Sequence, residues 1–250
     1  MRTTLTAALG LTLALPLTAM AQSVQVPTAT NIVASPSRSA EDRAMDEGRM
    51  PAEVLAFTGI KRGDTVADFM AGGGYYTALL ADMVGPKGTV YAINPGSFHR
   101  ADVWEKRLAA DRNIRTMVSD ARAMQLAPDS VDAIFAHLVF HDLYFESERF
   151  KFPRLDVDFM VANWFAAVKP GGTVTIVDHV GPAGDTREIV SKVHRIDPQI
   201  VIRDMTKAGF KLVDQSDMLR RSDDDIDKSV FDESVRGKTD RFVMKFQKPA

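Results

Sequence analysis

Residues 66–77 read Val66-Ala67-Asp68-Phe69-Met70-Ala71-Gly72-Gly73-Gly74-Tyr75-Tyr76-Thr77, and this stretch decides the fold. It opens inside a short β-branched run, 65–69, that reads as a strand. Three consecutive glycines follow, and 75–84 then carries a helix-like pattern. Glycine at a strand-to-helix turn lets a ligand approach the backbone closely, because no Cβ intervenes. The helix N-terminus adds unpaired N–H groups and a partial positive charge. The stretch therefore predicts a nucleotide-type cofactor site at the first strand of an α/β sheet.

The chain keeps the same alternation on either side of this turn. Segments 89–93, 114–118, 131–136, 173–177, 210–214 and 241–246 are the further strand candidates. Segments 98–111, 156–168 and 198–208 are the further helix candidates. Gly85-Pro86-Lys87-Gly88 and Lys169-Pro170-Gly171-Gly172 are breakers that lead into strands. Such alternation implies a mainly parallel sheet covered by helices on both faces. The linker 218–239 is too polar for a crossover helix, so the last strand is expected to run antiparallel. The chain is thus expected to form an α/β, Rossmann-like, doubly wound and mostly parallel seven-stranded sheet with an antiparallel C-terminal strand. Upstream, Ser39 is placed to cap a short helix, and Pro51 opens another that Gly59 ends.

The 250 residues suit one α/β domain, and a hydrophobic content of 45% is enough for its core. A formal net charge of −2 argues against a broad nucleic-acid footprint. The sequence has no Cys, which excludes disulfides, a thiol nucleophile and a thiolate metal site. Residues 1–21 read as a cleaved secretory signal peptide: Arg2, an apolar stretch over 5–17, and Ala19-Met20-Ala21 before Gln22. The apolar stretch is shorter than the roughly 20 residues of a membrane helix, and an uncleaved anchor is the rival. Residues 22–39, rich in Ser, Thr, Pro and Ala, read as a flexible leader, and 40–250 as the folded domain. A periplasmic or secreted protein is expected, with no stable membrane insertion after cleavage. Oligomeric state is not legible.

Ligands of an open parallel sheet bind at the carboxyl ends of its strands, near the point where strand order reverses. A dinucleotide pyrophosphate asks for G-x-G-x-x-G, and the third position here is Thr77. A cofactor without phosphates asks for glycine at the turn, a polar group for the ribose and an acid near the adenine. The motifs are VADFMAGGGYYT at the turn, VYAIN at strand two, VSDARAMQLAPDSVDAIFAHLVFHDL across strands three and four, and VKPGGTVTIVDH at strand five. On these the chain resembles the class I S-adenosylmethionine-dependent methyltransferases. The segments HRIDPQIVIRDMTKAGFKLVDQSDML and RGKTDRFVMKF are similar to a bacterial group of exported predicted methyltransferases.

The resemblance implies S-adenosylmethionine as cofactor and methyl transfer to a small-molecule acceptor. It implies that Asp68 orients the glycine loop and helps hold the amino-acid part of the cofactor, with Ala71, Gly72 and Gly74 packed against it. Asp120, with the backbone around Ala121, would accept from the adenine amino group. Where the family carries Asp or Glu at the end of strand two, this chain has Asn94, which can accept from ribose hydroxyls only without charge assistance. An exported domain would also lack a supply of this cytosolic cofactor. A secreted, non-catalytic or degenerate binding protein on the same fold is therefore the alternative, and a nicotinamide oxidoreductase is disfavoured by Thr77.

Methyl transfer needs mainly orientation from the protein, and a base only where the acceptor is protonated. His141 and Asp142, after strand four, are the catalytic candidates, since histidine titrates near neutral pH. His137 reads as a hydrogen-bonded structural residue and Tyr75-Tyr76 as packing. His194-Arg195 reads as a solvated or helix-terminal pair and Asp223-Asp224-Asp225 as an exposed turn. No metal is expected. The alternative set is Asp142, Asp178 and His179, because some methyltransferases of this fold hold a divalent ion after strands four and five.

Overall fold

Strand β1 (Thr65–Phe69) is buried at four of its five positions, as a strand covered on both faces must be. A computed structural model describes residues 27–110 and 113–250. The signal peptide expected over 1–21 lies outside the described residues. β1 runs parallel to β2 (Thr89–Pro95) on one side and β4 (Val131–His137) on the other. β3 (Ile114–Ser119) extends the β2 side and β5 (Val168–His179) the β4 side, both in parallel. β7 (Arg241–Gln247) then pairs antiparallel with both β5 and β6 (Lys211–Ser216). The order β3-β2-β1-β4-β5-β7-β6 meets the expected doubly wound, mostly parallel seven-stranded sheet with its antiparallel C-terminal strand. Strand order reverses between β1 and β4, so the crevice lies at their carboxyl ends.

The strand pattern splits the core in two. Successive residues point to opposite faces: Ile134 and Ile176 join one cluster, while their neighbours Phe135 and Val177 join the other. Helices cover both faces: α1 (Ala29–Val33), α2 (Ala40–Ala44), α3 (Asp46–Arg49), α4 (Pro51–Thr58), α5 (Tyr75–Val84), α6 (Ala101–Ala110), α7 (Val157–Ala167), α8 (Thr186–Val193) and α9 (Pro198–Lys207). The caps follow the sequence. Ser39 accepts from Asp42 N, Pro51 begins α4, and Gly59 ends it at φ 73. Among the described residues, no helix is long and apolar enough to cross a membrane.

Four features differ from the sequence expectation. The stretch read as a flexible leader holds α1, capped by Thr28, whose Ile32 is buried with Val54 and Leu55 of α4. Lys169-Pro170-Gly171-Gly172 belongs to β5 rather than preceding it, because Gly171 at φ 79 bends the strand and its N–H bonds Lys248 O. Helix α8 was not visible, because only Val190 and Val193 of its polar sequence are buried. Finally, His194 ends α8 as its C-cap and Asp223 and Asp225 are exposed, but the Arg195 and Asp224 side chains are fully buried in an ion pair at 2.6 Å.

Candidate cofactor and acceptor site

The backbone after β1 turns through left-handed positions at Met70 (φ 51), Gly72 (φ 56) and Gly74 (φ 77) before α5 begins. The turn is closed by Gly74 N–H donating to Ala71 O at 2.8 Å, and tied to β2 by Ala71 N–H donating to Ile93 O at 3.0 Å. Its two faces differ. A Cβ on Gly72 would meet no atom within 4 Å, so this face is open. A Cβ on Gly74 would lie 2.7 Å from Arg107 Cδ and 2.8 Å from Trp104 Cη2, so that face is closed by α6. Trp104 Nε1 donates to Gly72 O at 3.0 Å and Arg107 Nε to Gly73 O at 2.5 Å. Arg107 also forms a two-pronged pair with Asp42 of α2 at 2.9 and 3.1 Å. Gly74→Ala is therefore expected to lose at least about 1–2 kcal/mol from the left-handed backbone alone, plus the displacement of Trp104. A lowered urea midpoint with unchanged slope would show it.

Asn94, expected at the ribose, bonds the glycine turn. It is fully buried, its Oδ1 accepting from Gly72 N–H at 2.8 Å and its Nδ2 lying 3.4 Å from Gly72 O. The amide thus faces both an N–H and a C=O, whereas a carboxylate there would face Gly72 O as an unpaired buried charge. Asp68, on β1, is buried and accepts from Thr77 Oγ1 at 2.5 Å. Burial raises its pKa to about 7, against the lowering effects of the Thr77 hydroxyl and the Arg107 charge. Asp120 is exposed beyond β3 and accepts from Arg122 N–H at the start of a short turn containing the buried Ala121. It opens on a cleft of about 560 Å³ shared with Glu146, Lys151, Phe152 and Arg154, within the ~300–1,000 Å³ range of small-molecule sites. Tyr75 and Tyr76 face away toward α3. Tyr75 bonds Asp46 at 2.6 Å under the Arg49 guanidinium, and Tyr76 packs 4.7 Å from Phe135.

The ends of β4 and β5 carry a buried polar cluster. Asp178 accepts from the backbone N–H groups of His141 and His179, and its Oδ1 lies 2.8 Å from His141 Nδ1. His141 Nε2 lies 3.5 Å from Asp142 Oδ1. Burial alone would lower the His141 pKa, but the Asp178 and Asp142 carboxylates outweigh it and raise it to about 9. His141 therefore holds its proton at neutral pH rather than titrating there as its residue type suggests. Asp142 is raised to about 6 by burial and by Asp178, with His141 opposing. His179 bonds Thr239 at 2.7 Å, and burial lowers its pKa well below the ordinary value. Asp178 and His179, two of the three alternative metal ligands, are thus engaged elsewhere. His137 packs 4.5 Å from the Tyr76 ring, and its buried Nε2 has no hydrogen-bond partner among the described residues.

Residues 67–176 match the family model for a methyltransferase domain. No curated protein sequence matches the chain. Among solved structures, a SAM-dependent methyltransferase from Aquifex aeolicus is 24% identical, with a TM-score of 0.55 over 88% of this chain and 97% of that one. The fold is that of the S-adenosylmethionine-dependent methyltransferases. A second such enzyme, from Mesorhizobium loti, is 14% identical, with a TM-score of 0.56 over 82% of this chain and all (100%) of that one. The [4+2]-cyclase SpnF is 16% identical, with a TM-score of 0.58 over 84% of this chain and 82% of that one. This fold therefore also serves other chemistry, and the reaction has to be argued from the site.

The matched segment spans the glycine turn, Asn94, Asp120, His141 and Asp142. The sheet brings the turn and the His141 cluster to adjacent strand ends, while Asp120, after β3, has β2 and β1 between it and β4. Four contributors were not anticipated from sequence: Asp42, Trp104, Arg107, and His194, whose ring lies 5.6 Å from that of His141. Trp104 and Arg107 are three apart and so share a helix face, but that spacing does not say which turn the face covers.

Proposed function

We propose that this protein transfers a methyl group from S-adenosylmethionine to a small-molecule acceptor. One observation carries the proposal. Within or beside the matched methyltransferase segment, an open glycine turn after β1 and a buried acid–histidine cluster after β4 flank the point of strand-order reversal. The bound cofactor would supply an electrophilic methyl group on a sulfonium. Asp68 and the open face at Gly72 would hold its amino-acid part, and the cleft at Asp120 its adenine. Asn94 braces the turn beside the expected ribose position. His141 and Asp142 form the acceptor end, where protonated His141 would fix the acceptor's nucleophilic atom and the Asp142 carboxylate would draw off its proton. Export to the periplasm, with a signal over 1–21 ahead of the folded domain, completes the proposal on the strength of the N-terminal sequence.

The test is transfer of a labelled methyl group to a panel of phenolic, carboxylic and amine acceptors. Wild-type protein is expected to label at least one acceptor. Asp142→Asn is expected to reduce the rate about 100-fold with donor affinity unchanged. Undiminished transfer by Asp142→Asn would remove that residue from the acceptor end. Donor binding without transfer to any acceptor would contradict catalysis.

A further inference from the structure

Among the described residues, one set of metal-ligating side chains comes together: His141, Asp142 and His194. We propose that these three bind a divalent transition-metal cation at the acceptor end of the site. One donor atom from each lies within 4.8 Å of the other two. A point within about 2.8 Å of all three therefore exists, and small side-chain rotations close it to the roughly 2.0–2.2 Å of zinc–imidazole and zinc–carboxylate bonds.

The surroundings of His141 are those of a ligand. Asp178 is fully buried and fixed by two backbone N–H groups, and its Oδ1 faces His141 Nδ1. A carboxylate in that position accepts from Nδ1–H and fixes the ring, so that Nε2 is the atom that gives up its proton to an incoming cation, as in metal-bound histidines. Nε2 stands 3.5 Å from Asp142 Oδ1, close to the separation of about 3.3 Å between neighbouring ligands in a tetrahedral shell with 2.0 Å bonds. The His194 ring closes the third side at 5.6 Å from the His141 ring, wedged between Phe145 at 4.7 Å and Phe231 at 4.9 Å. Those aromatic walls supply no competing donor.

Two imidazoles and one carboxylate select zinc, iron(II), cobalt(II) or nickel(II) over magnesium and calcium, which prefer oxygen shells. Three protein ligands leave at least one coordination position open. An oxygen of the methyl acceptor would take that position, and this last role rests on the methyl-transfer reading. Cation binding itself does not.

The experiment uses untagged protein stripped with a chelator and titrated with Co²⁺ alone, followed by visible absorption. The wild type is expected to show one saturable cobalt band at a 1:1 ratio, abolished by one equivalent of Zn²⁺. His194→Ala and Asp142→Asn, which alter different elements, are each expected to weaken cobalt binding at least about tenfold while circular dichroism stays native. Asp178→Asn is expected to weaken it by about 10- to 100-fold. Absence of a saturable band in the wild type would overturn the proposal, as would an unchanged band in both His194→Ala and Asp142→Asn. No methyl donor is present, so failure here leaves the cofactor site untouched, and failed donor binding would leave the metal site standing.

Discussion

Replacing Asp68 with Asn is expected to stabilise the protein above pH 7 while weakening S-adenosylmethionine binding about 10- to 100-fold. The two effects share one cause. Asp68 is fully buried on a central strand, with a hydroxyl as its hydrogen-bond donor, and its pKa is raised from 3.8 to about 7. An acid whose folded pKa is raised binds more protons in the folded state between those two values. Stability therefore falls as pH rises from about 4 to about 7, and the deficit is fully present above that range. Roughly three units correspond to about 4 kcal/mol, an upper bound on what Asn can recover. Urea denaturation of both proteins at pH 5 and pH 8 checks the sign: the advantage of Asn should be small at pH 5 and largest at pH 8. The loss of affinity follows from removing a carboxylate from the cationic amino-acid end of the cofactor, a charged hydrogen bond of about 1.5–3 kcal/mol. Donor binding should also release a proton near pH 6.5, seen as buffer-dependent heat in calorimetry. A variant with lower stability at pH 8 and unchanged affinity would contradict both halves.

Arg195→Ala is expected to cost about 3–5 kcal/mol, the penalty for leaving a buried partner charge uncompensated. Arg195 and Asp224 both have side chains at 0% exposure, paired at 2.6 and 3.1 Å. Arg195 also donates to Lys228 O at 2.8 Å and Val180 O at 3.2 Å, and Asp224 accepts from Asp240 N–H at 2.7 Å. These bonds tie the segment before β7 to the end of β5, beside His194. Arg195→Lys is expected to recover only part of the loss, since an ammonium cannot reproduce the guanidinium fork. Thermal denaturation measures the loss of stability, and limited proteolysis should show new cleavage between 223 and 238. A melting temperature unchanged in Arg195→Ala would contradict the assignment of this pair as a structural anchor.

The parts legible in the sequence are those set by neighbours along the chain. β1, its glycine turn and α5 follow from a β-branched run, three glycines and a helical stretch, all within twenty residues. The caps at Ser39, Pro51 and Gly59 are likewise local. What was not legible depends on packing between distant elements. The sequence places Asn94 at the end of β2, but its amide's bonds to Gly72 appear only once β2 packs beside β1. Asp223 and Asp225 are exposed as their run suggests, but the Arg195 and Asp224 side chains are buried, which only their tertiary pairing allows. The His141 pKa was likewise invisible, because Asp178 reaches it from a different strand, 37 positions along the chain. His194 enters the cluster through the end of α8, an element without a strong sequence signature.

The central claim is that the turn after β1 binds an adenosyl sulfonium cofactor and not a dinucleotide pyrophosphate. Calorimetric titration of the purified protein with S-adenosylmethionine, S-adenosylhomocysteine and NAD addresses it most directly. The predicted result is 1:1 submillimolar binding of the first two, loss of that binding in Asp68→Ala, and no heat from NAD. Binding of NAD, or of none of the three by a folded protein, would contradict it.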